Sequence, residues 1–466
     1  MTGGKTDMEK KELFNRKYLV ALIFPLIIEQ ILAVSVGMAD TIMVSGAGDA
    51  AVSGVGLVNT ISNLLIYIFT ALSTGGAIVA SQVIGAKNIR GAGNGNADTY
   101  KKLGETVANQ LILVCFVISL VIAALSVTLN RPILTLIYGS VKPEVMENAV
   151  TYFRITAFSF PFLAVYYGAT ALFRAMGNSK MSMYVSAIMN IINIVLNAVF
   201  VFGCKMGIAG VGYATLISRA FACVVVVFLI RNEKYDLHIH KYLKLGYNWE
   251  IIKKILRIGI PSGIDNGMFQ IGKLFTQSLI TSFGTASIAA NTTASTIELL
   301  ATIPASAMSI ALTTVVGQCV GAGDYDAVKK YSKKMMKWAY FMLWGLNIVI
   351  IIMAPTIAGW YNLSSEGNRL AIQLIVYHSI CCMLIWPLAF TMPSILRASG
   401  DVKFVMISSI VIMWVFRIGL AYLIGGYLGL GVLGVWIAMT IDWAARSAAN
   451  LWRLKSGKWM KKAVVD

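Results

Sequence analysis

Five carboxylates lie within long apolar segments of the sequence, which is where an ionisable side chain lacks water to stabilise its charge: Glu29, Asp40, Asp265, Glu298 and Asp442. Each costs roughly 2.5–3.5 kcal/mol to insert into a bilayer, so each is expected to have a partner or a function. Glu29 and Asp265 both follow a proline by four residues and precede an amide side chain. We predict that they bind substrate together with Glu298, Met268 and Gln270. The alternative is that both acids are partly hydrated near helix ends.

Asp40 is the strongest candidate for ion chemistry. Asn190, Asn193 and Asn197 are spaced i, i+3 and i+7, which places three carboxamides on one face of an apolar helix. Single amides in membrane helices often only bond to a neighbouring helix, but a stripe of three requires a polar partner, and Asp40 is the candidate. One carboxylate with amide oxygens suits Na⁺, and the carboxylate alone suits a proton. Either coupling ion fits these groups.

Basic residues within the apolar segments need partners as well. Arg417 and Asp442 fall at similar depths in the last two segments, which predicts a structural ion pair. Lys273 either neutralises Asp265 or Glu298 or extends its ammonium group towards the membrane surface.

The elements that carry these residues are predicted to be membrane-spanning helices. The chain is 58% hydrophobic and only 13% charged, which excludes a water-soluble globule. A helix needs roughly 20 apolar residues to span a bilayer. Twelve such stretches occur, at approximately 18–44, 51–82, 107–130, 148–172, 181–203, 208–230, 252–282, 287–317, 338–360, 370–395, 402–424 and 431–453. The predicted fold is therefore an all-α integral membrane protein with twelve transmembrane helices.

The sequence is internally duplicated. Pro25, Gly48, Gln82 and Gly85 recur without a gap as Pro261, Gly284, Gln318 and Gly321, and a later Arg-Ala pair, 174–175, recurs at 397–398. Each repeat has six spans, which is an even number, so both repeats enter the membrane from the same face. The two repeats are therefore predicted to be parallel. We predict an N-lobe at 1–231, a cytoplasmic linker at 232–251 and a C-lobe at 252–466. This body plan is typical of transporters, with the site between the halves.

The formal net charge of +18 would suit nucleic-acid binding, but its distribution indicates otherwise. Most lysines and arginines fall in alternate loops, which predicts that both termini are cytoplasmic. We expect a multi-pass protein of a prokaryotic cell (inner) membrane. We predict no nucleic-acid partner. The six cysteines and His238 and His240 are expected to be packing or linker residues rather than metal ligands. No Walker motif or catalytic constellation occurs, which predicts a protein that is not an enzyme and uses no cofactor.

Three motifs resemble the multidrug and toxic compound extrusion (MATE) transporters. They are Met38-Ala39-Asp40-Thr41, Gln82-x-x-Gly85-Ala86 and Phe173-Arg174-Ala175-Met176-Gly177, with their echoes in the second half. The resemblance implies a monomeric, V-shaped, two-lobe antiporter, surrounded by membrane lipid, that exports amphipathic, often cationic compounds against an inward flow of Na⁺ or H⁺. The alternative hypothesis is a lipid-linked oligosaccharide flippase of the same superfamily, which should line its cleft with several cations.

The resemblance also implies site residues. In the family, the aspartate that Asp40 matches forms an N-lobe cation site with positions matching Asn193, Asn197 and Thr215, and any Na⁺ is expected at Asp40, Asn193 and Asn197. The position of Asn197 is frequently an aspartate, so this chain has one carboxylate fewer. NorM-type members carry acids where this chain has Phe269 and Trp386. The sequence is therefore predicted to lie closer to the DNA-damage-inducible-F (DinF) branch.

Overall fold

The computed structural model describes residues 13–45, 49–88, 97–139, 141–239 and 246–465. The side chains of residues 36, 38–42, 45 and 49 also lie outside the description, so the predicted ion-binding Asp40 is placed only through its helical backbone. His240 falls outside the described residues altogether. Every regular element within the described ranges is helical.

The described part of the first half contains eight α-helices. They are α1 (Arg16–Ser45), α2 (Asp49–Ala86), α3 (Ala97–Thr128), α4 (Asn130–Tyr138), α5 (Pro143–Phe158), α6 (Phe160–Ala175), α7 (Ser179–Asn197) and α8 (Gly207–Ile230). A π-helical turn, Ala198–Gly203, extends α7.

Eight more α-helices lie in the described residues of the second half. They are α9 (Trp249–Thr281), α10 (Thr285–Ala301), α11 (Ile303–Gly321), α12 (Tyr325–Gly359), α13 (Ser365–Trp386), α14 (Pro393–Ala398), α15 (Val402–Ile412) and α16 (Gly431–Lys455). Further π-helical turns follow α13 at Pro387–Thr391 and α15 at Met413–Gly419 and Ala421–Tyr427.

Within the described ranges, nine helical segments are long and apolar enough to cross a membrane, and α5 with α6 forms a tenth span bent by 46°. The bend lies at Ser159, where Pro161 in the first turn of α6 begins a new helix. Helices α9 and α16 are long enough to span but carry several charged residues. Helices α10 and α11 meet at Thr302 and together form one span. By the sequence repeat, they are equivalent to α2, which is a single continuous helix. The described segments thus provide twelve crossings.

The first helix of each repeat packs into the other half of the molecule. Phe14, just before α1, and Leu22 and Leu26 of α1 share a buried cluster with residues of α11 and α12. The first turns of α9, with Ile251 and Ile255, share another with residues of α2 and α3. Burial of these large apolar side chains joins the two halves at the face that carries residues 13–16 and 456–465.

Repeat-related hydrogen bonds connect the halves at that same face. Gln82 Nε2 on α2 donates to the carbonyl of Ala398 at 2.8 Å, and Gln318 Nε2 on α11 donates to the carbonyl of Ala175 at 2.8 Å. A Cβ atom on Gly85 would overlap the carbonyl oxygen of Gln318, and one on Gly321 would overlap that of Gln82. Glycine is required at both positions because the two helix backbones are in direct contact. We call this contact the interlobe seam.

Candidate functional sites in the two lobes

The structure contains a polar cavity in each half. The N-lobe cavity encloses about 410 Å³ and the C-lobe cavity about 360 Å³. Polar residues of the N-lobe cavity come from α2, α5, α7 and α8 and are Asn59, Ser62, Asn63, Tyr152, Thr156, Asn190, Asn193, Thr215, Ser218 and Arg219. Charged residues of the C-lobe cavity come from α9, α10, α14, the turn after α15, and α16 and are Asp265, Lys273, Glu298, Arg397, Arg417 and Arg446.

The carboxamide stripe predicted on α7 faces the N-lobe cavity. Asn190 and Asn193 line it together with Thr215 of α8. Asn197 lies one turn further along α7, fully buried, and its Nδ2 donates to Asn193 Oδ1 at 3.1 Å. Because the amide of Asn197 orients that of Asn193, the two residues form one hydrogen-bonded unit. The helical spacing in the sequence was sufficient to find it.

Asp40 is placed only by its position in α1. Gly37, one helical turn earlier, lines the N-lobe cavity. The carboxylate itself lies outside the described part of the chain, so its assignment to an ion site remains a prediction.

Arg219 on α8 also lines the N-lobe cavity, although the sequence alone did not indicate it. Its Nη1 donates to Ser159 Oγ at 2.8 Å, at the bend between α5 and α6. An arginine keeps its proton at physiological pH, so this side chain adds one permanent positive charge to the cavity wall. No spacing rule singles it out, because α8 carries it alone among small and apolar residues.

Of the predicted substrate residues, Asp265, Gln270 and Glu298 line the C-lobe cavity. Asp265 is 5% exposed, and its Oδ2 accepts a hydrogen bond from Arg397 Nη2 at 2.6 Å. Met268 is half-buried on the same helix, α9. The acid therefore has a fixed cationic partner in this conformation.

Glu29 lies in the other half and has an equivalent arrangement. Its carboxylate is 3.8 Å from Arg174 Nη1, and Ser182 Oγ donates to it at 2.9 Å. The Arg174–Glu29 and Arg397–Asp265 pairs are related by the sequence repeat. The sequence indicates that the two arginines are related, because the Arg-Ala motif recurs just as the acids do. The sequence alone does not show that an arginine in one span reaches an acid in another.

Asp442 is at the centre of a buried charge network. Arg446 Nε donates to its two oxygens at 3.1 and 3.0 Å, and Arg417 Nη1 is 3.8 Å away. Arg446 also bonds to the hydroxyl and carbonyl of Ser409. The predicted partner Arg417 is thus present, but Arg446 is closer. The i,i+4 spacing of Asp442 and Arg446 could have indicated this pair from the sequence.

Aromatic side chains lie among these charges. Three cationic groups lie over the ring of Phe269: Arg417 at 5.0 Å, Lys273 at 5.6 Å and Arg446 at 5.7 Å from its centroid. The ring centroids of Trp386 and Phe390 are 3.9 Å apart with the rings tilted by 57°, and Phe390 in turn packs edge-on against Trp443. Cations within about 6 Å of a ring face are attracted by its quadrupole. Phe269 therefore holds the three cations together without neutralising them.

Comparison with known proteins shows the family. The family model described as MatE matches residues 25–199 and 261–423, so the chain belongs to the MatE family of transporters. It is 27% identical over 466 residues to the uncharacterized transporter YisQ of Bacillus subtilis, covering 99% of this chain and 98% of that protein. It is 28% identical to the probable multidrug resistance protein NorM of Thermotoga maritima, covering 99% and 97%.

A solved structure has the same fold. A multidrug resistance MATE family transporter of the MOP superfamily, in its outward-facing conformation, superposes with a TM-score of 0.86 at 23% identity, covering 96% of this chain and 97% of the other. The predicted all-α membrane fold with twelve helices in two lobes is confirmed. The chain is a multi-pass membrane transporter, and members of its family are transporters rather than enzymes.

Proposed function

We propose that this transporter is a cation-coupled antiporter that exports amphipathic small molecules by alternating access. The observation that carries the proposal is the presence of two polar cavities of different chemistry, one in each lobe. The N-lobe cavity is lined mainly by neutral oxygens and amides, and the C-lobe cavity by charges and aromatic rings. Separate cavities allow the coupling ion and the exported molecule to occupy different sites.

The N-lobe cavity is the proposed ion site. Asn193, Asn197 and Thr215 supply oxygen ligands, and Asp40 supplies the carboxylate. A hard cation such as Na⁺ prefers this oxygen set, and a proton requires only the carboxylate.

The C-lobe cavity is the proposed substrate site. Its volume lies within the range of roughly 300–1,000 Å³ that is typical of small-molecule pockets. The rings of Phe269, Trp386 and Phe390 provide apolar contact area, while the charged residues fix orientation. The NorM relatives' description as probable multidrug resistance proteins supports an amphipathic drug as substrate. Phe269 and Trp386, where NorM-type members are expected to have acids, favour the DinF branch.

The interlobe seam is the proposed gate on one side of the membrane. Gln82 and Gln318 bind across it, so an alternating-access cycle must break both hydrogen bonds. The positive-inside pattern of the loops assigns this face to the cytoplasm of a bacterial cell. In this assignment the described conformation is closed towards the cytoplasm.

Transport in proteoliposomes with separately imposed gradients tests the proposal. Protein is reconstituted with a fluorescent amphipathic dye, and an opposing gradient of Na⁺ or of H⁺ is applied alone. Dye movement should accelerate under one gradient and return to the basal rate when an ionophore collapses it. Dye movement that is the same with and without either gradient would overturn the proposal.

A further inference from the structure

The C-lobe cavity has more positive than negative groups. Four cationic side chains line it: Lys273, Arg397, Arg417 and Arg446. Two carboxylates, Asp265 and Glu298, line it with them. Asp442 does not line the cavity but contacts Arg417 and Arg446. When its charge is included, the positive groups still exceed the negative groups by four to three. A simple cation would enter a site that repels it.

Hydrogen-bond donors in this cavity are left without acceptors. Among the described residues, the wall contains five buried donor atoms that have no hydrogen-bond partner: Arg397 Nε, Arg417 Nε and Nη1, Trp386 Nε1 and Trp443 Nε1. Arg417 is 4% exposed and Trp443 1%. An unpaired buried donor costs roughly 1–3 kcal/mol, more when charged. A ligand rich in acceptor atoms would relieve several of these penalties together.

The unpaired groups of the two cavities differ in kind. In the N-lobe cavity, those of the described wall are the hydroxyls of Ser62 and Thr156, which can accept as well as donate, and Asn190 Nδ2, which can only donate. All of those in the described wall of the C-lobe cavity can only donate. The N-lobe cavity therefore offers acceptor oxygens to a cation, whereas the donors of the C-lobe cavity suit an anionic group.

We propose that the C-lobe cavity recognises an anionic group, such as a carboxylate, on an amphipathic substrate whose apolar body packs on Phe269 and Trp386. The exported compounds are then zwitterions or anions, in place of the cations that the family resemblance implies. This inference rests on the proposed substrate site. The cavity volume suits a drug-sized molecule, and a phospholipid head group is the other source of the same chemistry.

Equilibrium binding to the purified protein tests the inference without any ion gradient. The probes are a rhodamine that carries a free carboxylate and its methyl ester, which has the same ring system but a net positive charge. Binding to protein in nanodiscs is followed by dye fluorescence anisotropy. We expect the free acid to bind about tenfold more tightly than the ester, a difference of about 1.4 kcal/mol.

Two substitutions assign this preference to the cavity. Lys273→Gln should weaken binding of the free acid by about fivefold to tenfold, and it should not weaken binding of the cationic ester, because it removes one repelling charge. Phe269→Glu places a carboxylate among three cations and should reverse the preference towards the ester. Lys142→Gln removes the same charge from an exposed position before α5 and is the matched control. Each variant is first checked for a normal gel-filtration profile and melting temperature.

The outcomes separate this inference from the proposed function. Equal binding of acid and ester, unaffected by Lys273→Gln, would overturn the anionic-group proposal even if gradient-driven efflux of the ester were observed. A preference for the acid that Lys273→Gln abolishes would support it even if no gradient drove transport. If vesicles containing anionic phospholipid displace the acid more than neutral phospholipid vesicles do, the cavity binds a lipid head group and the small-molecule assignment is wrong.

Discussion

Gly85 allows the backbones of α2 and α11 to touch, so its substitution by alanine should open the interlobe seam. The added Cβ would overlap the carbonyl oxygen of Gln318, and backbone atoms cannot rotate away as a side chain can. Overpacking of this kind costs typically 1–3 kcal/mol. The penalty applies only to the conformation in which the seam is closed. Gly85→Ala should therefore shift the population towards the open seam by roughly 5–150-fold.

A distance measurement across the seam would detect this shift. Spin labels at the exposed positions Asn88, after α2, and Asp326, in the first turn of α12, report the separation of the two halves in a cysteine-free background. Double electron–electron resonance should show a longer-distance population that is larger in Gly85→Ala than in the parent protein. The repeat-related Gly321→Ala should act in the same direction, because its Cβ would overlap the carbonyl oxygen of Gln82.

Gly56→Ala is the matched control, since it lies on the same helix with nothing within 4 Å of the added Cβ. Alanine is favoured over glycine inside a helix by about 1 kcal/mol, so this variant should be as stable as the parent or more so, with an unchanged distance distribution. A folded Gly85→Ala protein with the parental distribution would refute the reasoning that the seam is held by direct backbone contact.

Three further changes test the two cavities. Asp40→Asn preserves side-chain volume but removes the charge, so gradient-driven efflux should be lost at normal expression, and full efflux by this variant would remove Asp40 from the mechanism. Asn193→Ala should alter the ion dependence of transport by about tenfold while dye affinity stays constant; a change confined to dye affinity would instead place the amide in the substrate site. Asp265→Asn leaves Arg397 unpaired and should lower stability by about 1–3 kcal/mol, less than the 3–5 kcal/mol of a fully buried pair because Arg397 is 24% exposed. Adding Arg397→Gln should recover part of that loss in thermal melts, and strictly additive losses would contradict the pairing.

The fold was predictable because each helix is encoded by its own local sequence. Apolar length identified the twelve spans, and the repeated Pro25 and Pro261 aligned the first helix of each half. Two helices, α9 and α16, are less apolar because they carry the charges of the C-lobe cavity. The short helices α4 and α14 were not anticipated, since neither is long enough to have a spanning pattern.

The sites were predictable where spacing within one helix determines the geometry. The asparagines of α7 are an example, because helical periodicity alone puts Asn190 and Asn193 on one face. Contacts between helices were not predictable in the same way. Arg174 and Arg397 lie near helix ends, where a basic residue usually meets the membrane surface, and only the tertiary packing turns them towards Glu29 and Asp265. The positive balance of the C-lobe cavity depends on Arg397 and Arg446, which the sequence did not place there.

The movement of the coupling ion is the most direct test of the central claim. Proteoliposomes are loaded with an ion-sensitive dye for Na⁺ or for pH, and an amphipathic substrate gradient is imposed with no ion gradient present. The account predicts that substrate moving in one direction drives Na⁺ or H⁺ in the other, and that Asp40→Asn abolishes this ion flux. Substrate flux without any movement of either ion, in a protein that transports at the normal rate, would contradict it.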